Sequence, residues 1–304
     1  MRLLDECADR VDYAAVLIPC LQCLRNLAAT PAAAHQLCGA DIIRKLSHLL
    51  ARSGPDPAVA SALLAVLANL SLLPDVKGSV AGAVLDKTFL AMRTGRSHAS
   101  VTREAAHLLR SLSAAQLYQT TVFRNVGLVM AAAETYHNDA GIQESCLAVF
   151  RNLATNMELR KALLSASVLE IGFKTMKAHY NHPGIQVKHR VACARPPSCS
   201  LLPYSLLPHT SMPAVASSPS RLVLLWQQRF GCGLVRNMVA GSAGLRAGVA
   251  ATGCCEHVFR AMVSHPRAAE VQTEACTALQ CLSADAKLVP LVLGKGMQLV
   301  SATR

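Results

Sequence analysis

Tryptophan occurs once in these 304 residues, and aromatic side chains make up 4% of them against 52% hydrophobic residues overall. A core poor in large rings is built from Ala, Leu and Val, whose small side chains let helices pack closely, which suits an all-helical stack. No apolar run reaches the roughly 18 residues that span a bilayer, and the opening MRLLDECADRVDY is too acidic and polar for a secretory signal. A soluble intracellular protein, cytoplasmic or nuclear, is expected. Also missing are a Gly-rich phosphate loop, a Gly-x-Ser-x-Gly elbow and a His-Glu-x-x-His pair. Motif-based enzyme classes are thereby excluded, and neither catalysis nor a cofactor is expected.

Acidic residues are scarce too: 18 Asp and Glu stand against 30 Lys and Arg, for a net charge of +12 and a pI near 9.4. Such a balance favours acidic partners, whether carboxylate-rich protein segments, nucleic acid or anionic lipid. The 12 cysteines sit mostly at helical core positions, and with no signal segment they read as small buried hydrophobes in a reducing compartment. Cys20-x-x-Cys23 has zinc-ligand spacing but no second pair, Cys254-Cys255 is no better supplied, and His179 and His182 lack a third ligand. No metal site is expected.

What the chain does have is a phrase that returns: CLRNLA, VLANLS, LLRSLS, VFRNLA, LVRNMV and LQCLSA. Its reference position falls at Asn26, Asn69, Ser111, Asn152, Asn237 and Cys281, at steps of 43, 42, 41, 85 and 44 residues. Self-similarity at roughly 40–47 residues belongs to helical solenoids, in which each unit buries its apolar face against its neighbours. The long step resolves through a second landmark, Gly-Ile-Gln, at 141–143 and again at 184–186. Gly141 precedes Asn152 by 11 residues and Gly184 precedes Asn237 by 53, so 42 residues are surplus, and removing Val187 to Gln228 joins GIQ to RFGCGLVRNMV in register.

That stretch holds six of the 14 prolines and the lone Trp226, and it has no acidic residue. Proline at this density breaks helices, so residues 187–228 are expected to be disordered. Its Val-Lys start and its Gln end are codable as splice donor and acceptor, so a retained intron is one reading and a native loop inserted in a repeat is the other. Without its four basic residues, Lys188, Arg190, Arg195 and Arg221, the chain still carries +8.

Each unit reads as two shorter helices and a third that ends in the phrase. The second unit is expected at Pro31–Cys38, Asp41–Arg52 and Pro57–Leu72, with Asp41 an N-cap, Ser53-Gly54-Pro55 a turn and Pro57 in an opening helical turn. The third is expected at Pro74–Val80, Ala83–Arg93 and His98–Ser113. Residues 1–186 would carry repeats one to five, the first incomplete and the fifth interrupted; 229–304 would carry the end of the fifth, the sixth and a truncated seventh. Such ragged ends, without polar capping repeats, suggest a fragmentary gene model.

In the fourth unit Ile142, Cys146, Val149 and Leu153 follow the spacing of a buried stripe; at 100° per residue Asn152 borders it and Arg151 lies opposite. The Arg-Asn pair recurs at Arg25-Asn26, Arg151-Asn152 and Arg236-Asn237, while Arg110-Ser111 keeps the arginine and Ala68-Asn69 the asparagine. Two readings stand open for each row. The asparagines either hydrogen-bond neighbouring helix ends and hold the repeats in register, or contact a ligand. The arginines are either a solvated face or a carboxylate-binding one, for which bidentate guanidinium suits better than lysine. Glu144, seven residues before Arg151, would partly neutralise that unit.

Three-helix units with a Leu-x-Asn-Leu phrase on the third helix resemble the armadillo-repeat family. The likeness covers essentially the whole chain outside 187–228, and MKAHYNHPGIQ joined to RFGCGLVRNMVA resembles one member in particular. It implies an all-α, right-handed superhelical solenoid whose third helices line a concave face, with Asn26, Asn69, Asn152 and Asn237 holding the backbone of an extended peptide; Ser111 and Cys281 depart from the pattern. The importin-alpha branch places a tryptophan four residues before the asparagine, where this chain has Gln22, Ala65, His107, Ala148 and Gly233. A receptor for basic peptides is thus disfavoured, since an arginine row would repel them. The expected function is a non-catalytic scaffold that binds an extended, acidic partner segment through those asparagines and through Arg25, Arg110, Arg151 and Arg236. The alternative is a basic solenoid that binds RNA or another nucleic acid, although aromatics for base stacking are nearly absent from the third helices.

Overall fold

The computed structural model describes residues 13–38, 41–52, 56–178 and 219–302, and these form 16 α-helices, one short 3-10 helix and no strand. Two compact units divide them, one over residues 13–128 and one over 129–178 and 219–302. In the first unit the order is α1 (Tyr13–Leu27), α2 (Pro31–Cys38), α3 (Ile42–Arg52), α4 (Pro57–Leu70), α5 (Pro74–Thr94), α6 (Ala99–Ser113) and α7 (Gln116–Arg124). Helix α8 (Val126–Thr135) carries the unit boundary; α9 (Ala140–Leu153), α10 (Met157–Ser165), α11 (Val168–Ala178), α12 (Pro219–Val239), α13 (Ala243–Ala251), α14 (Cys254–Ser264), α15 (Ala269–Ser283) and α16 (Val289–Ala302) follow.

The helices that end in the repeated phrase pack side by side. In the first unit α4 lies between α1 and α6; in the second α12 lies between α9 and α15. Their apolar stripes make the core: Leu63, Leu64, Leu67 and Leu70 on α4, and Ala105, Leu108, Leu109 and Leu112 on α6, are fully buried. Asp56 and Asp139 start α4 and α9 by accepting two main-chain N–H groups each, at 2.8 and 3.2 Å and at 3.1 and 3.0 Å. A cap of this kind stabilises a helix by about 1 kcal/mol.

In three repeats the chain turns on a left-handed residue between the first and the second helix. Asp41, Ser167 and Gly253 stand directly before α3, α11 and α14 with φ of 56°, 57° and 78°. Glycine adopts this region freely, whereas Asp and Ser do so at a cost. Asp41 stands at the N-cap position expected of it, directly before Ile42, but its carboxylate accepts from Arg44 Nε at 2.6 Å.

Two helix boundaries depart from the sequence reading. Residues 74–94 form one helix rather than two, because the weak points in that stretch are isolated glycines, Gly78 and Gly82, and a single glycine lowers helix stability without ending the helix. Residues 219–228, expected within the disordered insert, are the first turns of α12. Pro219 occupies the helix start, where a missing N–H is tolerated, and Leu222, Val223, Leu224, Leu225 and Trp226 are compatible with helix. Residues 187–218, the turn at 53–55, His179 and His182 lie outside the described residues.

Candidate functional site

The expected stripe on α9 is buried: Ile142, Val149 and Leu153 are inaccessible and Cys146 nearly so. Removal from water, with Asp139 adding to it, pushes the Cys146 thiol up to about 12, and burial, with Glu274 adding to it, does the same for Cys232. Both are protonated packing groups at neutral pH. Described cysteines are free thiols, and among the described residues no cluster of three or more His, Cys, Asp or Glu side chains could hold a metal ion.

Beside the stripe, the phrase residues tie one third helix to the next. Asn69 Nδ2 donates to the main-chain oxygen of Arg25 at 3.0 Å, and Asn237 Nδ2 donates to that of Arg151 at 2.9 Å. Ser111, which departs from the asparagine pattern, does the same work with its hydroxyl, donating to Ser71 O at 2.9 Å. Each bond supplies a donor to a carbonyl in the last turn or cap of the preceding repeat's third helix, where intrahelical partners run out. Asn152 is half-buried at the end of α9, and Asn26 is exposed at the end of α1.

The arginines are organised by two glutamates that the repeat phrase does not include. Glu104 on α6 and Glu274 on α15 stand seven residues before Ser111 and Cys281, the same position in two different repeats. Both are buried. Arg25 Nη2 donates to Glu104 Oε1 at 3.4 Å, reaching from the first repeat to the third, and His107 Nδ1 lies 4.0 Å from the other oxygen. In the second unit Arg151 Nη2 lies 3.7 Å from Glu274 Oε1 and Arg236 Nη1 lies 2.7 Å from Oε2. Arg151 thus spans from the fourth repeat to the sixth, and it does so over Gly233. A Cβ at that glycine would stand 2.9 Å from Arg151 Nε and 3.4 Å from Glu274 Oε2. In the first unit the corresponding residue is Ala65, also small.

Arg236 also donates through Nε and Nη2 to its neighbour Asn237 Oδ1 at 3.1 and 2.9 Å. The result is a linked set, Arg151–Glu274–Arg236–Asn237, with Asn237 returning to the backbone of Arg151. Arg229 donates to Glu270 at 2.7 Å and lies over the ring of Trp226, while Arg151 lies over that of Phe230. The third helices of the second unit carry Arg151, Arg221, Arg229 and Arg236 with Glu144, Glu270 and Glu274; in the first unit Arg25, Arg103 and Arg110 stand with Glu104. Arg110 is half-buried in the last turn of α6.

Arg25, Arg151 and Arg236 are therefore not a solvated row. They neighbour the asparagines as expected, but within each unit their charge is directed at an internal carboxylate. Periodicity could have raised Glu104 and Glu274 as a shared position; their partners, 79 residues away for Arg25 and two repeats away for Arg151, leave no local signal.

No family model matches the chain, and no curated protein is significantly similar to it. Its fold is nonetheless that of solved repeat proteins. A designed armadillo repeat protein superposes with a TM-score of 0.66 at 15% identity, over 92% of this chain and 98% of that one. An engineered protein superposes equally well, with a TM-score of 0.66 at 18% identity, over the same 92% and 98%. A second engineered protein gives 0.54 at 19% identity, over 97% of this chain and 71% of its own. The chain is an all-helical armadillo-type solenoid of three-helix repeats. Among its described residues no single helix is long and apolar enough to cross a membrane.

Proposed function

We propose that this protein is a non-catalytic interaction scaffold that receives an extended partner segment along its third helices. The observation that carries the reading is the cross-repeat ion pairing of Arg25, Arg151 and Arg236 with Glu104 and Glu274, which holds guanidinium groups at the edge of the core with about a quarter of each side chain still open to solvent, 27%, 26% and 29%. Donors held in place in this way lose little freedom on meeting a ligand.

Pairing also changes what the face selects. A guanidinium bonded to an internal carboxylate keeps outward N–H groups but has its charge compensated, so main-chain carbonyls of an extended segment suit it as well as carboxylates do. The same pairing leaves, among the described residues, no uninterrupted basic stripe of the kind that tracks a phosphate backbone, which weighs against nucleic acid. The joined sequence MKAHYNHPGIQ-RFGCGLVRNMVA resembles armadillo repeat-containing protein 6, and that likeness agrees with a scaffold role.

The test is selection of linear peptides on the immobilised protein, followed by affinity measurement with variants. Arg110→Glu is expected to weaken the selected peptides about tenfold or more, while Arg93→Glu, in the last turn of α5 and off the third helices, leaves them unchanged. Peptides that bind equally to both variants would remove the third helices from the account.

A further inference from the structure

We propose that residues 187–228 are a removable cassette, and that a chain joined directly from Gln186 to Arg229 builds the same fifth repeat, with Gln186 in the place of Gln228 and Ile185 in that of Gln227. The first support is a glutamine that locks the start of the third helix onto the end of the second. In the fourth repeat Gln143 Nε2 donates to Ala133 O at 2.6 Å and Tyr136 O at 3.0 Å, 10 and 7 residues earlier. In the sixth, Gln272 Nε2 donates to Met262 O at 2.9 Å and His265 O at 3.0 Å, again 10 and 7 residues earlier.

The fifth repeat makes the same bond across a much longer sequence distance. Gln228 Nε2 donates to Met176 O at 3.1 Å, 52 residues earlier. Met176 lies 10 residues before Gln186, the spacing of the other two repeats. The carbonyl is therefore in register with Gln186, and Gln228 stands in for it.

The neighbouring position points the same way. Ile142 and Val271, directly before Gln143 and Gln272, are buried apolar residues at 0% and 1% exposure. In the fifth repeat this place is taken by Gln227, also fully buried; its Nε2 reaches Ala140 O at 3.1 Å, but among the described residues its Oε1 has no donor, and neither has Oε1 of Gln228. In the fourth repeat the matching Gln143 Oε1 accepts from Thr175 Oγ1 at 2.5 Å. A buried amide oxygen without a donor destabilises a fold, and isoleucine at that place has none to satisfy. Ile185 is the residue that the joined chain would supply.

Urea unfolding of the full chain and of the chain lacking 187–228 tests this. The shorter chain is expected to fold and to lower the unfolding equilibrium constant by about tenfold or more, the effect of removing one unsatisfied buried polar group. Gln186→Ala should destabilise the shorter chain and leave the full chain unaffected, while Gln228→Ala should destabilise the full chain. Gln227→Ile in the full chain should raise its urea midpoint. A shorter chain that is unfolded or less stable, a Gln186→Ala change that is silent in it, or a Gln227→Ile change that lowers the midpoint would each overturn the proposal.

Discussion

Replacing Glu274 by glutamine keeps the shape of the side chain and removes the charge on which Arg151 and Arg236 converge. The carboxylate is 9% exposed and the two arginine side chains 26% and 29%, with contacts of 3.7 and 2.7 Å. Two unit charges about 4 Å apart attract by about 4 kcal/mol at an effective dielectric constant of about 20. Desolvation of the glutamate offsets much of this, and solvent reaches the arginines, so the loss falls below the roughly 3–5 kcal/mol of a fully buried pair. Glu274→Gln is expected to destabilise the protein by about 2–3 kcal/mol. Urea denaturation followed by circular dichroism measures it, and a double-mutant cycle with Arg236→Met should return a coupling of about 1–2 kcal/mol. Glu104→Gln supplies an internal comparison: with Arg25 at 3.4 Å and His107 at 4.0 Å, both longer than the 2.7 Å of Arg236 to Glu274, its effect should be smaller. A Glu274→Gln loss within about 0.5 kcal/mol, the range of an ordinary surface change, would refute the reasoning.

Arg160, 6% exposed, donates to Ala154 O at 2.9 Å, to Ser242 Oγ at 3.0 Å and to Ala240 O, and so closes the ends of α9 and α12. Arg160→Met should destabilise by about 2–4 kcal/mol, read in the same denaturation experiment. His257, stacked on Phe173 with centroids 4.5 Å apart, and His265 both have a pKa lowered by burial. Since the unfolded state binds these protons more readily, the stability they contribute is present above the ordinary histidine pKa of about 6.5 and is lost as pH falls through it toward the folded values; His257→Phe should flatten the pH dependence of the melting temperature in that window. Gly231→Ala would drive a methyl group into the Met176 thioether. The loss should be about 1–3 kcal/mol, and Met176→Ala in the same chain should recover part of it.

Much of this architecture was legible because packing repeats itself locally. The Leu-rich phrase and the stripe Ile142, Cys146, Val149, Leu153 obey a helical period, and the third helices end within two residues of the expected places. Asn69 and Asn237 border the core as their angle from the stripe implies, and their bonds to Arg25 O and Arg151 O match the register-keeping reading. What was not legible depends on neighbours two repeats away. Arg151 looks solvent-facing on its own helix, and only the stack brings Glu274 to it across Gly233. The left-handed residue before α3 and α11 carries no composition signal either, being Asp41 in one repeat and Ser167 in another. Gln143 was visible as the last letter of the Gly-Ile-Gln landmark, but its role, and that of Gln272, appears only with the carbonyls they reach.

The central claim, that an extended partner segment lies along the third helices, is tested most directly by photo-crosslinking a selected linear peptide to the protein and locating the adducts by mass spectrometry. Adducts are predicted on third helices, around Gln22 and Asn26 of α1 and His107 and Arg110 of α6. Adducts confined to the first and second helices of the repeats would contradict it.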